Sequence, residues 1–163
     1  MITNIHTRDL HAPIHEVGSL LDSLASKQDL LWPYEKWPPI RFDRPLSIGA
    51  VGGHSVIRYT IESYQPERCI TFRFTSPKGF IGTHCFSVKE VTPDITQIKH
   101  EINMTLKGSA KIWWPIRIRW IHDAIIEDAF DKAESFITGQ SINREWPIWV
   151  KFLRFVMSRK KRK

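Results

Sequence analysis

The feature that most constrains the fold is a period-two alternation of apolar and polar residues from residue 54 to residue 107. It divides into four segments, 54–64, 68–76, 79–90 and 95–107, with short proline-containing separators. Side chains alternate between the two faces of a β-strand, so the pattern predicts four half-buried strands. Connections this short join antiparallel neighbours, because a parallel pair needs a long crossover. The centre of the chain is therefore predicted to be an antiparallel meander.

Other elements are predicted on both sides of the meander. Residues 2–8 alternate as a strand does, and Pro13 suits the start of a helix with Val17, Leu20 and Leu21 on its apolar face. Residues 32–45 hold four prolines and predict an irregular, aromatic-rich connection. A long helix is expected over 116–138, with Gly139 as its stop. Its apolar stripe is Ile118, Ile121, Ile125, Ala129, Ala133 and Phe136, and its solvated face is Glu127, Asp131 and Glu134.

This order of elements is typical of an α+β protein in which a curved antiparallel sheet packs on one long helix. Together with Ala12, Pro13 and Val17 at the first helix, the Trp-Pro segment and Gly49 before the meander, it resembles the START-like (SRPBCC) superfamily. The resemblance implies the helix-grip fold, with the sheet wrapped around the C-terminal helix, for a domain spanning 1–143. It also implies an internal apolar cavity for lipids, sterols, polyketides or hormones. Polyketide cyclase-like proteins belong to this superfamily, and a minority of its members are enzymes.

The turns predict which residues meet on the inner face of the meander. A tight connection at 77–78 places Phe72 opposite His84, and a turn near 92–94 places Phe86 opposite His100. The two histidines would be diagonal neighbours in an apolar surface, where they could orient a polar group of a ligand or be core histidines with protein partners. The predicted ligand-binding residues are Tyr59, Phe72, His84, Phe86, His100, Ile102, Met104, Trp113, Ile121 and Ile125.

Aromatic residues of the two connections are also candidates for the site. Trp32, Tyr34, Trp37, Trp113 and Trp114 could gate a cavity or simply cap the core. The sequence alone leaves both interpretations open.

No catalytic or metal-binding motif stands out. The histidines at 54, 84, 100 and 122 are scattered without metal-ligand spacing, and adjacent His122 and Asp123 point about 100° apart on a helix. Gly49 to Gly53 is predicted to be a bend or bulge rather than a phosphate loop, because no helix follows it. Cys69 and Cys85 are expected to be free thiols. We expect no cofactor and no metal, and binding of an apolar small molecule rather than catalysis. The alternative is a cyclase- or hydrolase-type enzyme with His84 or His100 as general base.

Charge is concentrated at the C-terminus. Residues 144–163 carry eight Lys and Arg against Glu145 alone, whereas residues 1–143 carry 16 cations and 16 anions, a net charge of zero. A neutral body makes a nucleic-acid partner the weakest prediction. The segment 146–157 is apolar except for two cations and is too short to span a bilayer as a helix.

Such an aromatic and basic segment is typical of a helix that lies in a membrane interface. Packing on the body, packing on a protein partner and a solvated tip are the alternatives. The predicted contact residues are Trp146, Trp149, Lys151, Phe152, Arg154, Phe155, Arg159, Lys160 and Lys161. With no visible signal peptide or transmembrane segment, a cytoplasmic protein is expected, with attachment to the inner membrane surface through this extension.

Overall fold

The structure is a computed structural model that describes the backbone of residues 1–160 and the side chains of residues 1–158. A seven-stranded antiparallel sheet has the order β1-β7-β6-β5-β4-β3-β2. Its strands are β1 Ile2–Leu10, β2 Arg41–Phe42, β3 Val51–His54, β4 Ile57–Gln65, β5 Cys69–Ser76, β6 Phe80–Thr92 and β7 Ile95–Leu106. The four predicted meander strands are β4 to β7, each within three residues of its expected bounds at both ends.

The register within the meander is the predicted one. Phe72 lies opposite His84, Phe86 lies opposite His100, and His84 lies opposite Ile102. At Gly82 in β6, φ is 154° and a Cβ would stand 2.1 Å from the carbonyl oxygen of Asn103. Only glycine allows this close approach of β6 to β7.

One prediction about the sheet is wrong. Gly49 to Gly53 was expected to form a bend or bulge, but residues 51–54 form β3, which pairs with β4 and β2. The glycines serve close packing, since a Cβ at Gly52 would stand 2.2 Å from the carbonyl oxygen of Arg41. As a result His54, at the end of β3, becomes part of the inner surface.

The helices are α1 Ile14–Asp22, α2 Ala110–Trp113, a π-helical turn Trp114–Ile118, α3 Arg119–Thr138 and α4 Ile148–Lys160. From residue 110 to residue 138 they run as one long helix, which begins six residues before its predicted start. Pro115 lies inside it, because the wider π-helical turn accommodates a residue that has no N–H to donate. Gly139 ends the helix with φ 67°, as predicted.

The polar face of the long helix is not solvated as expected. Edge strand β1 pairs with β7 and turns Asn4, His6 and Arg8 towards α3. The Arg8 guanidinium donates to Glu127, Asp131 and Glu134 at 2.7, 2.7 and 2.8 Å. The prediction that these three acids face water is therefore wrong for Asp131, whose side chain is 2% exposed, but holds in part for Glu127, whose side chain is 45% exposed.

The end of the predicted apolar stripe is also different from expectation. Phe136 is more than half exposed, whereas Ile125, Ala129 and Ala133 are buried as predicted. The stripe thus leaves the core in the last turn of the helix.

Asp128 anchors two segments to the long helix. Its carboxylate accepts hydrogen bonds from the indole nitrogens of Trp37 and Trp146 at 2.7 and 2.8 Å and from Lys36 at 2.6 Å. The irregular connection and the start of the C-terminal segment thereby meet on one buried acid. On α4, Val150 and Leu153 are buried against the body.

Candidate functional site

A cavity of about 580 Å³ lies between the concave face of the sheet and the long helix. Nine of the ten predicted ligand-binding residues line it: Tyr59, Phe72, His84, Phe86, His100, Ile102, Trp113, Ile121 and Ile125. Met104 does not; it packs with Phe80, Leu106 and Trp114 in a separate small cluster. A cavity of this size and lining is typical of small-molecule sites.

The connections contribute to both the wall and the mouth of the cavity. Trp32, Trp37 and Trp114 are buried and line the cavity wall. Tyr34 lies outside the cavity, where its ring packs under the Lys132 ammonium at 3.8 Å. Among the lining residues, Ser55, Val56, Lys78, Ser109 and Trp113 are exposed and Arg117 and Met157 are half-buried, and we call this part of the lining the mouth.

His84 and His100 are direct neighbours inside the cavity wall. His84 Nδ1 and His100 Nε2 are 3.3 Å apart, and His84 packs between the rings of Phe72 and Phe74. Burial and the neighbouring histidines lower the pKa of both imidazoles well below the ordinary value. Both rings are therefore neutral at pH 7.

Neutrality fixes what this pair offers to a ligand. A neutral imidazole has one donor and one acceptor nitrogen, so whichever ring donates in the shared hydrogen bond, the two remaining nitrogens are one donor and one acceptor. Those nitrogens, His84 Nε2 and His100 Nδ1, and the hydroxyl of Tyr59 are buried and have no hydrogen-bond partner among the residues that the structure describes. Burial also raises the pKa of Tyr59, so its hydroxyl stays protonated. The cavity-lining residues thus hold uncharged, unsatisfied polar atoms just beneath the wall surface.

The sequence interpretation missed two further cavity histidines. His54 packs on Trp32 with ring centroids 4.8 Å apart, and burial lowers the pKa of its imidazole to about 4. His122 lies 5.0 Å from His100 between ring centroids, and its Nε2 is buried and unpartnered. The period-two pattern did not reveal His54 because the β3–β4 turn interrupts it. His122 was not predicted to line the cavity because it lies outside the apolar stripe, to which its neighbour Ile121 belongs.

His122 belongs to a polar network at the edge of the cavity. Its Nδ1 lies 3.4 Å from Asp123 Oδ1, which also contacts His6 Nε2 at 3.1 Å and accepts a hydrogen bond from Asn4 at 3.0 Å. The two side chains therefore meet, although adjacent helical positions point about 100° apart. Burial opposes ionisation of Asp123, but the hydrogen bonds from His122 and His6 keep its pKa below the ordinary value.

The same network contains the donor atoms for a metal ion. A nitrogen of His6, a nitrogen of His122 and an oxygen of Asp123 lie within 4.8 Å of one another. Two imidazoles and a carboxylate suit zinc and other divalent transition metals. His6 also reaches Glu127 at 2.8 Å through its Nδ1, so hydrogen bonds within the protein already engage both of its nitrogens.

The structure places the predicted contact residues of the C-terminal segment in two groups. Trp146 and Arg154 face the body, where the Arg154 guanidinium lies 4.1 Å from the ring centroids of both Trp37 and Trp146. Trp149, Phe152, Phe155 and Lys151 are exposed, and Lys151 pairs with Glu145 at 2.8 Å. The side chains of Arg159 and Lys160, and all of Lys161, lie outside the described residues.

No protein-family model and no curated protein matches the sequence. Solved structures match across nearly the whole chain: CalU16 from Micromonospora echinospora has a TM-score of 0.60 at 17% identity, covering 96% of this chain and 86% of that one. A norcoclaurine synthase point mutant from Thalictrum flavum, bound to a transition state analogue, has a TM-score of 0.63 at 12% identity, with 85% and 96% covered. A START superfamily protein from Mycobacterium smegmatis gives 0.53 at 12%, with 84% and 97% covered. These likenesses establish the START-like helix-grip fold.

Proposed function

We propose that this helix-grip protein binds an apolar small molecule that carries at least one neutral polar group. The observation that supports this most directly is the donor–acceptor pair formed by His84 Nε2 and His100 Nδ1, buried and unsatisfied in an apolar cavity. Buried polar atoms without a partner are costly, and a hydroxyl, which both donates and accepts, satisfies the pair. An ionised group is disfavoured at this depth, because the surrounding histidines are neutral and the wall is mostly aromatic.

Titration of the full-length protein with Nile red, a neutral apolar dye, tests the binding site. Saturable binding at one dye per protein is expected, and Ile121→Trp should abolish it by filling the cavity. The matched control is Ile5→Trp, which places the same indole on an exposed position of β1. Binding that survives Ile121→Trp would contradict the proposal. Mass spectrometry of small molecules that copurify with the protein then identifies the natural ligand.

A cyclase- or hydrolase-type activity is the second candidate, and one observation favours it. His122 lines the cavity, its buried Nε2 has no partner among the described residues, and a carboxylate lies 3.4 Å from its Nδ1, as in a general base held by an orienting acid. Neither His84 nor His100 contacts a carboxylate among the described residues. If a metabolite screen finds turnover, His122→Ala should abolish it while His84→Phe mainly weakens binding. Turnover that is unaffected by His122→Ala would exclude this base.

The second part of the proposal concerns the C-terminal extension, residues 144–163 beside the domain 1–143. We propose that its exposed aromatic residues and its terminal basic run attach the protein to an anionic membrane surface. Trp149 and Phe152 are exposed on α4 with their rings stacked at 5.4 Å, and the sequence ends in five consecutive cations. Among the described residues, no helix combines the length and apolar character needed to cross a bilayer. Cosedimentation with anionic vesicles should fall when Phe152 is replaced by Asp.

A further inference from the structure

The structure assigns the cavity mouth to a membrane-docking face built jointly by the start of the long helix and α4, with an anionic lipid bilayer as its occupant. We call the set Ile112, Trp113, Ile116, Trp120, Trp149 and Phe152 the mouth face. This inference extends the proposed tail attachment to a second element and places the entrance of the proposed ligand cavity at the bilayer. Docking itself does not depend on which ligand the cavity holds.

The two helices expose apolar side chains next to each other. Ile112, Ile116 and Trp120 repeat every four residues and form one stripe on the long helix. The six side chains of the mouth face are between 40% and 60% exposed. The indole nitrogen of Trp149 on α4 donates to the carbonyl oxygen of Ile116 at 3.0 Å, which joins the stripe to the aromatic residues of α4. A contiguous apolar surface of this kind marks an interface.

The mouth face adjoins the cavity lining at Trp113. Trp113 belongs to both the face and the cavity wall, and Met157, one helical turn beyond Leu153 on α4, lines the same entrance. A bilayer in contact with the mouth face would therefore lie directly beside the cavity lining at Trp113 and Met157. An apolar ligand could then pass between bilayer and cavity without crossing water, where its exposed apolar surface is unfavourable.

Charge selects a bilayer as the occupant. Residues 107–122 carry four Lys and Arg and residues 146–163 carry seven, an excess that remains after Arg119 pairs with Asp123 and Lys151 with Glu145. At the mouth, Lys78 and Arg117 make no ion pair among the described residues. Interfacial tryptophans flanked by cations match the headgroup region of an anionic membrane.

The same charges argue against a second copy of this chain. A symmetric dimer through the mouth face would set the two cationic segments of one copy against those of the other, because a two-fold interface pairs a patch with itself. Like charges that face each other across an interface are destabilising. A dimer through this surface is therefore a result that would overturn the inference.

The decisive experiment measures binding of the full-length protein to vesicles of phosphatidylcholine with phosphatidylglycerol. The test variant is Ile112→Asp/Ile116→Asp, which leaves α4 unchanged and alters no side chain that lines the cavity. Loss of two apolar anchors and repulsion from anionic lipid should reduce partitioning at least about ten-fold. The matched control, Ile5→Asp/Ile81→Asp, makes the same chemical change at strand positions that are about half exposed, and should stay within about two-fold of the wild type. Vesicles of phosphatidylcholine alone should bind the wild type more weakly.

Three results would overturn the inference. The first is equal loss in the test and control variants, which would reflect net charge alone. The second is full binding by Ile112→Asp/Ile116→Asp together with loss in Phe152→Asp, because the tail would then dock by itself. The third is no vesicle binding by the wild type together with a dimer that Ile116→Asp dissociates.

Two further measurements keep the result interpretable. Should the aspartate variant fail to fold, Ile112→Ser/Ile116→Ser is measured instead and should also lose partitioning. Nile red binding in buffer without vesicles tests the proposed cavity function separately. The aspartate variant should retain dye binding. If the wild type itself does not bind the dye, the proposed cavity function is contradicted and the docking inference is unaffected.

Discussion

Arg8 is the residue on which the polar contact between β1 and the long helix depends most. Its guanidinium bridges Glu127, Asp131 and Glu134, and the Asp131 side chain is only 2% exposed. Arg144 also contacts Asp131, so the acid keeps one cation when Arg8 is removed. Arg8→Ala should lower the free energy of unfolding in urea by about 3 kcal/mol, because buried charges lose hydrogen-bonded partners.

An exposed ion pair provides the control for this prediction. Arg73 pairs with Glu62, and both side chains are largely exposed. Arg73→Ala should cost less than about 1 kcal/mol, since water and salt screen such a pair. Similar losses in the two variants would show that the Arg8 network contributes little beyond a surface contact.

His6 predicts a defined pH dependence of stability. Burial alone would lower its pKa, but hydrogen bonds with Asp123 and Glu127 raise the pKa to about 9. Because the pKa is higher in the folded state than the ordinary 6.5, the stabilising contribution is complete below pH 6.5 and is lost as the pH rises towards 9. The difference in unfolding free energy between wild type and His6→Gln should therefore be largest near pH 6 and shrink by pH 9.

His54 should show the opposite dependence. Burial lowers the pKa of its imidazole to about 4, so its neutral form is favoured in the folded protein. Stability linked to His54 is complete above pH 6.5 and is lost as the pH falls towards 4. The unfolding free energy of His54→Gln should therefore fall less than that of the wild type as the pH drops from 6.5 to 4. His6→Gln should keep the wild-type loss in this range. A His6→Gln difference that grows above pH 7 would contradict the assigned network.

At the scale of elements, Asp128 holds the irregular connection and the C-terminal segment on the long helix. Its carboxylate accepts hydrogen bonds from Trp37, Trp146 and Lys36. An amide replaces one of the two acceptor oxygens with an NH2 group, which would face a donor and break its hydrogen bond. Asp128→Asn should thus loosen residues 139–147, and proteolysis there should become faster in limited digestion mapped by mass spectrometry. Asp9→Asn, at an exposed acid that contacts Gln97, should leave the digestion pattern unchanged. Equal patterns for both variants would mean that the segment is held elsewhere.

Local patterns predicted the meander and its inner face well. The pairs Phe72–His84 and Phe86–His100 follow from short turns and strict alternation, which carry register along neighbouring strands. The contacts of β1 could not be predicted in this way, because β1 pairs with β7, the last strand of the chain. The helical pattern alone therefore predicts Asp131 in solvent, because its partner Arg8 lies 123 positions away in the sequence.

The residues of the candidate site show the same difference between local pairing and tertiary packing. His84 and His100 were found because they lie within one hairpin, whereas His6, His54 and His122 reach the site through the packing of separate elements. His122 in particular needs the long helix to be placed across the sheet before its neighbours His100 and Asp123 are known. Residues on the meander were predictable, and residues that depend on tertiary packing were not.

At the scale of the whole molecule, the cavity makes the empty protein less stable than a solid core of the same size would be. Wall residues around about 580 Å³ lose the packing contacts that a filled interior would supply. A ligand that binds only the folded state restores them and stabilises by an amount that grows with its concentration, about 2.7 kcal/mol at one hundred times its Kd. For a chain of 163 residues this corresponds to a rise in Tm of roughly 5–11 °C.

Stripping and refilling the cavity tests this coupling. Protein from which copurifying molecules have been extracted should unfold at a lower temperature than the untreated protein, and adding the extract back should restore the Tm. Ile121→Trp should respond much less to either step, because its indole occupies the same space as the ligand. If extraction and addition shift the Tm of Ile121→Trp as much as that of the wild type, the stabilising molecule binds outside the cavity.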